Sequence, residues 1–359
     1  MTRAMASEYM HWAKTRSAAR YNLAVSGVPD ATLRDLPVSL DDLALTTPGS
    51  YGYPPLQERL ARRLGVGTDR VVAAAGTSGA NYLALDALLA PGDEVLIEEP
   101  TYELLVRAAE HLGARVRRFA RRAEDGFALD PAAAGRAATR DTRLIVITNL
   151  HNPSGALAGE DALREVQAVA RGVGARVLVD EVYLETLYDT RPWRTACHLG
   201  PEFVATSSLT KAYGVSGLRC GWIVAEPAVA ERLWRVFDLM AATGAHPAER
   251  LSVIALDHLD RLAVRPRALL AANHALWRGF LQGRRGLEGG APEHGTVAFP
   301  RLKTGDADAF CHVLRERFET SVVPGRFFGA PAHFRVGLSA PAEAFAEGLD
   351  RLGRALDSL

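Results

Sequence analysis

Three residues of this chain can form an imine with a carbonyl compound, and they are its only lysines: Lys14, Lys211 and Lys303, among 42 basic residues. Arginine supplies the other basic charges. It can replace lysine on a surface, but its guanidinium stays protonated and forms no Schiff base. Lys211 stands apart because of its company, in the run Ser207-Ser208-Leu209-Thr210-Lys211 followed by Gly214, Gly217 and Arg219. Lys14 and Lys303 have no such setting and read as solvated. Three further segments carry groups of complementary chemistry. Gly76-Thr77-Ser78-Gly79-Ala80 opens a helical stretch, and a helix start offers free amides and a positive dipole end to a phosphate. Asp180-Glu181-Val182-Tyr183 brings a carboxylate and a phenol. Asn149 to Gly155 brings a carboxamide at Asn152 beside His151. Ser208 and Arg219 suit the same anion as the glycine turn, so Asp180 needs a separate cationic partner, either Lys211 or a protonated ring nitrogen. A ligand with a phosphate at one end, a basic ring nitrogen at the other and an aldehyde between them would engage every group.

The elements around these residues explain how segments far apart in the chain could meet. Val71 to Ala75, Glu94 to Glu98, Arg115 to Phe119, Leu144 to Thr148, Arg176 to Asp180, Phe203 to Ser207 and Leu218 to Ala225 read as strands. Helical stretches at Leu56 to Leu64, Ala80 to Leu89, Tyr102 to His111 and Glu160 to Arg171 separate many of them. That alternation predicts βαβ units and an α/β fold with a mostly parallel, seven-stranded sheet. Parallel strands deliver their C-terminal ends to one edge, where ligands of such folds sit. Each chemical segment above follows a strand. Before the sheet, Glu8 to Arg16 reads as a helix, Tyr21 to Val25 as an extended arm, and Thr47 to Pro55 as a loop rich in Pro, Gly and Tyr. After it come helical patterns at Pro227 to Ala241 and Pro247 to Leu281, a strand at Thr296 to Leu302, a helix at Ala307 to Phe318, a strand at His333 to Leu338 and a closing helix at Pro341 to Leu356. The expected division is a large domain over residues 46–240 and a smaller α+β domain from 1–45 and 241–359. Five arginines between Arg115 and Arg122 read as a solvated strand edge.

These segments resemble the class I/II aminotransferase family of fold-type I pyridoxal-phosphate enzymes. The resemblance rests on YGYPPLQERLARRLGV, AAGTSGANYLALDALLAPGDEVLIEEPTY, NLHNPSGAL, VLVDEVYLE, SSLTKAYGVSGLRCGW and HFRVGLS, in family order from about Asn22 to Ser339. The most specific string, S-x-x-K-x-x-G-x-x-G-x-R-x-G, contains Lys211. The resemblance implies that Lys211 carries pyridoxal 5'-phosphate as a Schiff base and then shuttles the substrate proton. It implies that Asp180 pairs with the ring nitrogen, keeping the ring an electron sink. It places Tyr183 and Asn152 at the ring's phenolic oxygen and Tyr102 on its face. The amides of Ser78, Gly79 and Ala80, with Ser208 and Arg219, would hold the phosphate. Arg335 would clamp the substrate α-carboxylate, a task its planar fork suits, with Gly27 and Asn152 beside it. Tyr51 (or Tyr53, since the local segment is shorter than the family pattern) would reach the neighbouring subunit's phosphate, which implies a homodimer with shared sites. His151 reads as structural, and Trp193 and Trp222 as packing residues.

The implied activity is transfer of an amino group between an L-amino acid and a 2-oxo acid. Elimination, side-chain cyclisation, decarboxylation or oxidation on the same scaffold is the alternative, and a non-catalytic cofactor-binding regulator a remote one. The side-chain pocket is expected near Gly27 to Leu33 and Tyr183 to Tyr188, with Met240 to His246 at the entrance. No spare arginine marks a dicarboxylate substrate. Lys+Arg and Asp+Glu are both 42, so no bulk attraction to nucleic acid or anionic membrane is indicated. No uncharged apolar run reaches about 18 residues, and no secretory signal is seen. Cys197, Cys220 and Cys311 lack metal-like spacing, so a reduced cytoplasmic enzyme without structural disulfides or metal is expected.

Overall fold

The computed structural model describes residues 4–46, 49–188 and 192–358. Thr47, at the head of the expected loop, lies outside them. Helix α1 (Glu8–Thr15) is followed by the two-residue strand β1 (Tyr21–Asn22) and helix α2 (Pro54–Leu64). The main sheet then begins: β2 (Val71–Ala75), α3 (Gly76–Leu88), β3 (Glu94–Glu99), α4 (Glu103–His111), β4 (Arg115–Ala120), α5 (Pro131–Ala137), β5 (Thr142–Thr148), α6 (Glu160–Val173), β6 (Arg176–Asp180), β7 (Phe203–Ser208) and β8 (Cys220–Val224). Its order is β2-β8-β7-β6-β5-β3-β4. β8 runs antiparallel to both neighbours, and the other pairings are parallel. β8 therefore places its start, just after Arg219, at the same edge where the parallel strands end.

The central strands are apolar on both sides because helices cover both faces of the sheet. Ile145, Ile147, Val177 and Val179 face a core that includes Leu60 of α2 and Val166 of α6. Leu144, Val146 and Leu178 face the opposite core, with Leu83 of α3, Leu105 of α4 and Leu233 from the following helix α7 (Pro227–Met240). The rest of the chain forms α8 (His246–Asp257), α9 (Leu259–Leu281), β9 (Leu287–Glu288), β10 (Val297–Ala298), β11 (Arg301–Leu302), α10 (Ala307–Phe318), β12 (Thr320–Ser321), β13 (Val323–Pro324), β14 (Phe334–Gly337) and α11 (Ala342–Asp357). β10, β14 and β13 make a three-stranded antiparallel sheet, and β1 joins β12 in parallel. A separate core holds Leu23 of the N-terminal arm against Trp277, Phe310, Phe334 and Phe345.

Several elements differ from the sequence reading. α3 begins at Gly76, not Ala80, so the glycine turn is itself the first helical turn. α5 was not expected, although Asp130 caps it through a bond from Ala133 N (2.9 Å) and Pro131 occupies its first position. The long pattern from Pro247 divides at His258, whose backbone leaves the helix (φ −129°, ψ 24°); no Gly or Pro marks the break. The expected strand Thr296 to Leu302 is two strands, parted where Pro300 has no N–H to donate. Arg121 corrects the reading of a solvated arginine run. It is buried (2% exposed) and ion-paired to Glu98 at 2.8 Å, whereas Arg115, Arg117 and Arg122 are exposed. All three cysteines are buried free thiols. Among the described residues no helix is long and apolar enough to cross a membrane, and no three metal-ligating side chains cluster.

Candidate active site

The polar edge of the sheet opens on a cavity of about 270 Å³ lined by Lys211, Asp180, Tyr183, Asn152, Ser78, Tyr102, Ser208, Arg219 and Arg335. Nine residues singled out from the sequence thus meet in one place. Lys211 follows β7, and its Nζ donates to Ser26 Oγ at 3.1 Å. Gly27 lies against it: a Cβ there would sit 3.6 Å from Lys211 Cδ. Burial, reinforced by the positive charges of Arg335 and Arg219, lowers the Lys211 pKa, while Tyr9 and Asp180 oppose the shift.

Asp180, the last residue of β6, is 4% exposed. Its carboxylate accepts from Asn81 Nδ2 (2.7 Å) and Val182 N (3.1 Å). Asn81 is held in turn by Thr206, whose Oγ1 donates to Asn81 Oδ1 at 2.5 Å. Burial outweighs these bonds and pushes Asp180 up to about 6. A carboxyl so placed lacks a full countercharge.

The anion end is built by backbone geometry. Gly76 takes a left-handed conformation (φ +68°), and the Arg219 guanidinium occupies the place of any side chain there. A Cβ on Gly221 would likewise meet the Gly76 backbone. Glycine at both positions lets β8 and the α3 turn touch, which sets Arg219 beside the helix start. Arg219 Nη2 donates to Ala75 O at 3.2 Å. Because α3 begins at Gly76, the amides without helical partners are those of Thr77 and Ser78. Gly79 and Ala80, which the sequence reading grouped with Ser78, fall within the helical ladder. Thr77 Oγ1 donates to Ser208 Oγ at 2.8 Å.

Arg335 reaches the cavity from β14. Its Nη1 donates to Asn152 Oδ1 (3.1 Å), and its Nη2 to Tyr9 OH (3.0 Å) and Ala24 O (3.2 Å). Its Nε is buried without a partner among the described residues. The Asn152 loop is braced from below. Thr148 Oγ1 accepts from Asn152 N (2.9 Å) and donates to Glu98 (2.6 Å). His151 is fully buried between Pro100 O (2.9 Å) and Ser154 Oγ (2.6 Å). Burial and the nearby Arg121 charge hold its pKa well down, so it is a neutral brace.

Other residues singled out from the sequence lie outside this chain's cavity. Tyr51 is 46% exposed and bonds to Asp238 and Arg235, away from the cavity. Tyr53 packs edge-on against His246. Met240 to His246 do not line the cavity, and Tyr188 turns away to bond Ala212 O (2.6 Å). Tyr9, Met10 and Ala13 of α1 also line the cavity. The sequence reading missed Tyr9, Ser26, Thr77 and Asn81. Only Thr77 and Asn81, in or beside the glycine turn, carried a local signal.

The family model described as aminotransferase class I and II matches residues 28–352. The chain belongs to this family. It is 32% identical over 353 residues to a capreomycidine synthase of Streptomyces vinaceus, covering 94% of this chain and 90% of that protein. It is 30% identical over 311 residues to an arginine–pyruvate transaminase of Pseudomonas aeruginosa, covering 83% and 78%. Among solved structures, a PLP-dependent aminotransferase from Streptococcus suis superposes with a TM-score of 0.90 at 25% identity, covering 97% of this chain and 96% of that one. A PLP-dependent cyclase superposes with a TM-score of 0.89 at 27% identity, covering 100% and 98%. The protein is therefore an aminotransferase that depends on pyridoxal 5'-phosphate. The cavity fits that group: unpartnered amides and a guanidinium at one end, an undercharged buried carboxyl at the other, and a lysine with depressed proton affinity between.

Proposed function

We propose that this aminotransferase moves an amino group between an L-α-amino acid and a 2-oxo acid, with Lys211 as its catalytic base and covalent anchor. The observation that carries this reading is the convergence of Lys211, Asp180 and Arg335 on one cavity. When bound, the cofactor supplies an electron sink for the carbanion formed at the substrate Cα. The protein's part is to bind, orient and move one proton. Thr77 N, Ser78 N, Ser208 and Arg219 hold the phosphate. Asp180 holds the ring-nitrogen proton, and the two bonds it accepts fix its direction. Tyr183 and Asn152 would address the cofactor's phenolic oxygen, and Tyr102 would pack on its ring. Arg335 binds the α-carboxylate. Burial lowers the proton affinity of Lys211 Nζ, which favours its taking the substrate Cα proton.

A second reading is favoured by one observation: a similar solved structure is a PLP-dependent cyclase. The groups around the cofactor serve either outcome, because both begin by removing the Cα proton. Among the described lining residues no carboxylate besides Asp180, and no cation besides Lys211, Arg219 and Arg335, is left to select a charged substrate side chain. Half-reactions of the purified holoenzyme with a panel of amino acids decide between the readings. Transamination converts the bound cofactor to its amine form and needs an oxo-acid acceptor. A cyclised product with the cofactor unchanged supports the alternative.

A homodimer is part of the proposal: the family resemblance assigns Tyr51, which is exposed and away from its own chain's cavity, to a neighbour's phosphate. So are a cytoplasmic setting, in keeping with three free thiols, and the division into residues 46–240 against 1–45 with 241–359, supported by the separate core around Leu23 and Phe334.

A further inference from the structure

The geometry points to Tyr9 as a second recognition group for the substrate α-carboxylate, donating its phenolic proton beside Arg335. This deepens the proposed function and rests on it. Tyr9 is 8% exposed and lines the cavity from α1, more than three hundred positions from Arg335 in sequence. Its place is fixed at several points. Ser7 Oγ and Tyr9 N both donate to Glu103 Oε2 (2.5 and 2.8 Å), and Ser7 Oγ caps the helix by accepting from Met10 N (3.1 Å). The ring is packed edge-on by Tyr102 and Phe327 and at a tilt by Phe328, with centroids 5.7, 5.7 and 5.8 Å away. Only the hydroxyl is left to do chemistry.

That hydroxyl accepts from Arg335 Nη2 at 3.0 Å. No bond donated by that hydroxyl is found among the described residues, where the neighbouring Arg335 Nε–H is also buried without a partner. Two such donors, next to a fixed positive charge, make a site that suits an anion. Asn152 Oδ1 and Ala24 O accept from Arg335 Nη1 and Nη2, not from Nε or the phenol. A carboxylate has two oxygens and about four lone-pair sites, enough for the guanidinium edge and the phenol together. Met10 and Ala13, on the same helix, line the same cavity. α1 thereby joins carboxylate recognition to the wall that meets the substrate side chain.

The test is Tyr9→Phe, which keeps the packed ring and removes the hydroxyl. The probes are the amino acid that responds best in the half-reaction panel and the amine made by removing its carboxyl group. In the variant, with the cofactor's absorbance unchanged, the apparent Kd of the amino acid should rise about tenfold or more, as for a lost hydrogen bond to a charged group, while the amine's stays within about twofold. Equal effects on both probes, or none, overturn the inference. A residue that only steadied Arg335 would add nothing once Arg335 is gone. So Tyr9→Phe should weaken the amino acid further in an Arg335→Lys background, and no further loss there also overturns it. If the wild-type holoenzyme responds to no amino acid, the parent reading fails first, and with a different signature.

Discussion

Replacing Arg121 by methionine should destabilise the protein in a pH-dependent way that betrays the buried charge it leaves behind. Glu98 and Arg121 are both fully buried, 2.8 Å apart. Glu98 also accepts from Thr148 N and Thr148 Oγ1 (2.7 and 2.6 Å), and Arg121 Nε donates to Phe127 O (2.7 Å). Even with its partner present, burial raises the Glu98 pKa. Without Arg121 the carboxylate keeps only the Thr148 bonds, and the expected cost is about 3–5 kcal/mol at pH 8. An acid whose folded pKa is raised binds more protons folded than unfolded, so stability falls as pH climbs above its unfolded value of about 4.3. The Arg121→Met deficit should therefore shrink steadily between pH 8 and pH 4, measured as urea or thermal midpoints against wild type. The double variant Glu98→Gln, Arg121→Met should recover most of it. A deficit that stays constant across this range, or none at pH 8, would refute the argument. Because Thr148 also receives Asn152 N, the same variant should loosen the Asn152 loop and lower cofactor retention.

Other substitutions test the cavity directly. Asp180→Asn faces two donors, Asn81 Nδ2 and Val182 N, with only one acceptor oxygen; losing a charge-assisted bond worth about 1.5–3 kcal/mol should weaken cofactor retention about 10- to 150-fold in equilibrium dialysis. Asp180 itself, raised to about 6, should make the cofactor-stripped protein lose stability as pH rises from about 4 to about 6. The rise in thermal midpoint on adding pyridoxal phosphate should then be larger at pH 7 than at pH 5, and an equal rise at both would count against Asp180 as the ring partner. Gly76→Ala, strained at φ +68° and set against the Arg219 guanidinium, should release cofactor while circular dichroism stays near wild type.

Much of the site was legible because each strand is a short apolar run and the groups that matter follow it within a few residues. Lys211 after β7, Asp180 ending β6 and Asn152 after β5 all keep that relation. What escaped the sequence depends on contacts that local pattern does not encode. Tyr9 sits in an ordinary amphipathic helix, and its role emerges only when β14 brings Arg335 to it. Arg121 looked like one more charge in an exposed run, because its partner Glu98 lies on the neighbouring strand. α3 starts four residues early because Gly76 turns directly into the helix, and this moves the free amides to Thr77 and Ser78. The break at His258 has no sequence punctuation at all.

The central claim is that the ε-amino group of Lys211 carries the cofactor. Borohydride reduction of the purified holoenzyme, followed by peptide mass analysis, tests it most directly. The account predicts that the peptide containing Lys211 alone gains the mass of a reduced pyridoxyl phosphate group, with Lys14 and Lys303 unmodified. An unmodified Lys211 peptide from coloured, cofactor-loaded protein, or modification at another lysine, would contradict it.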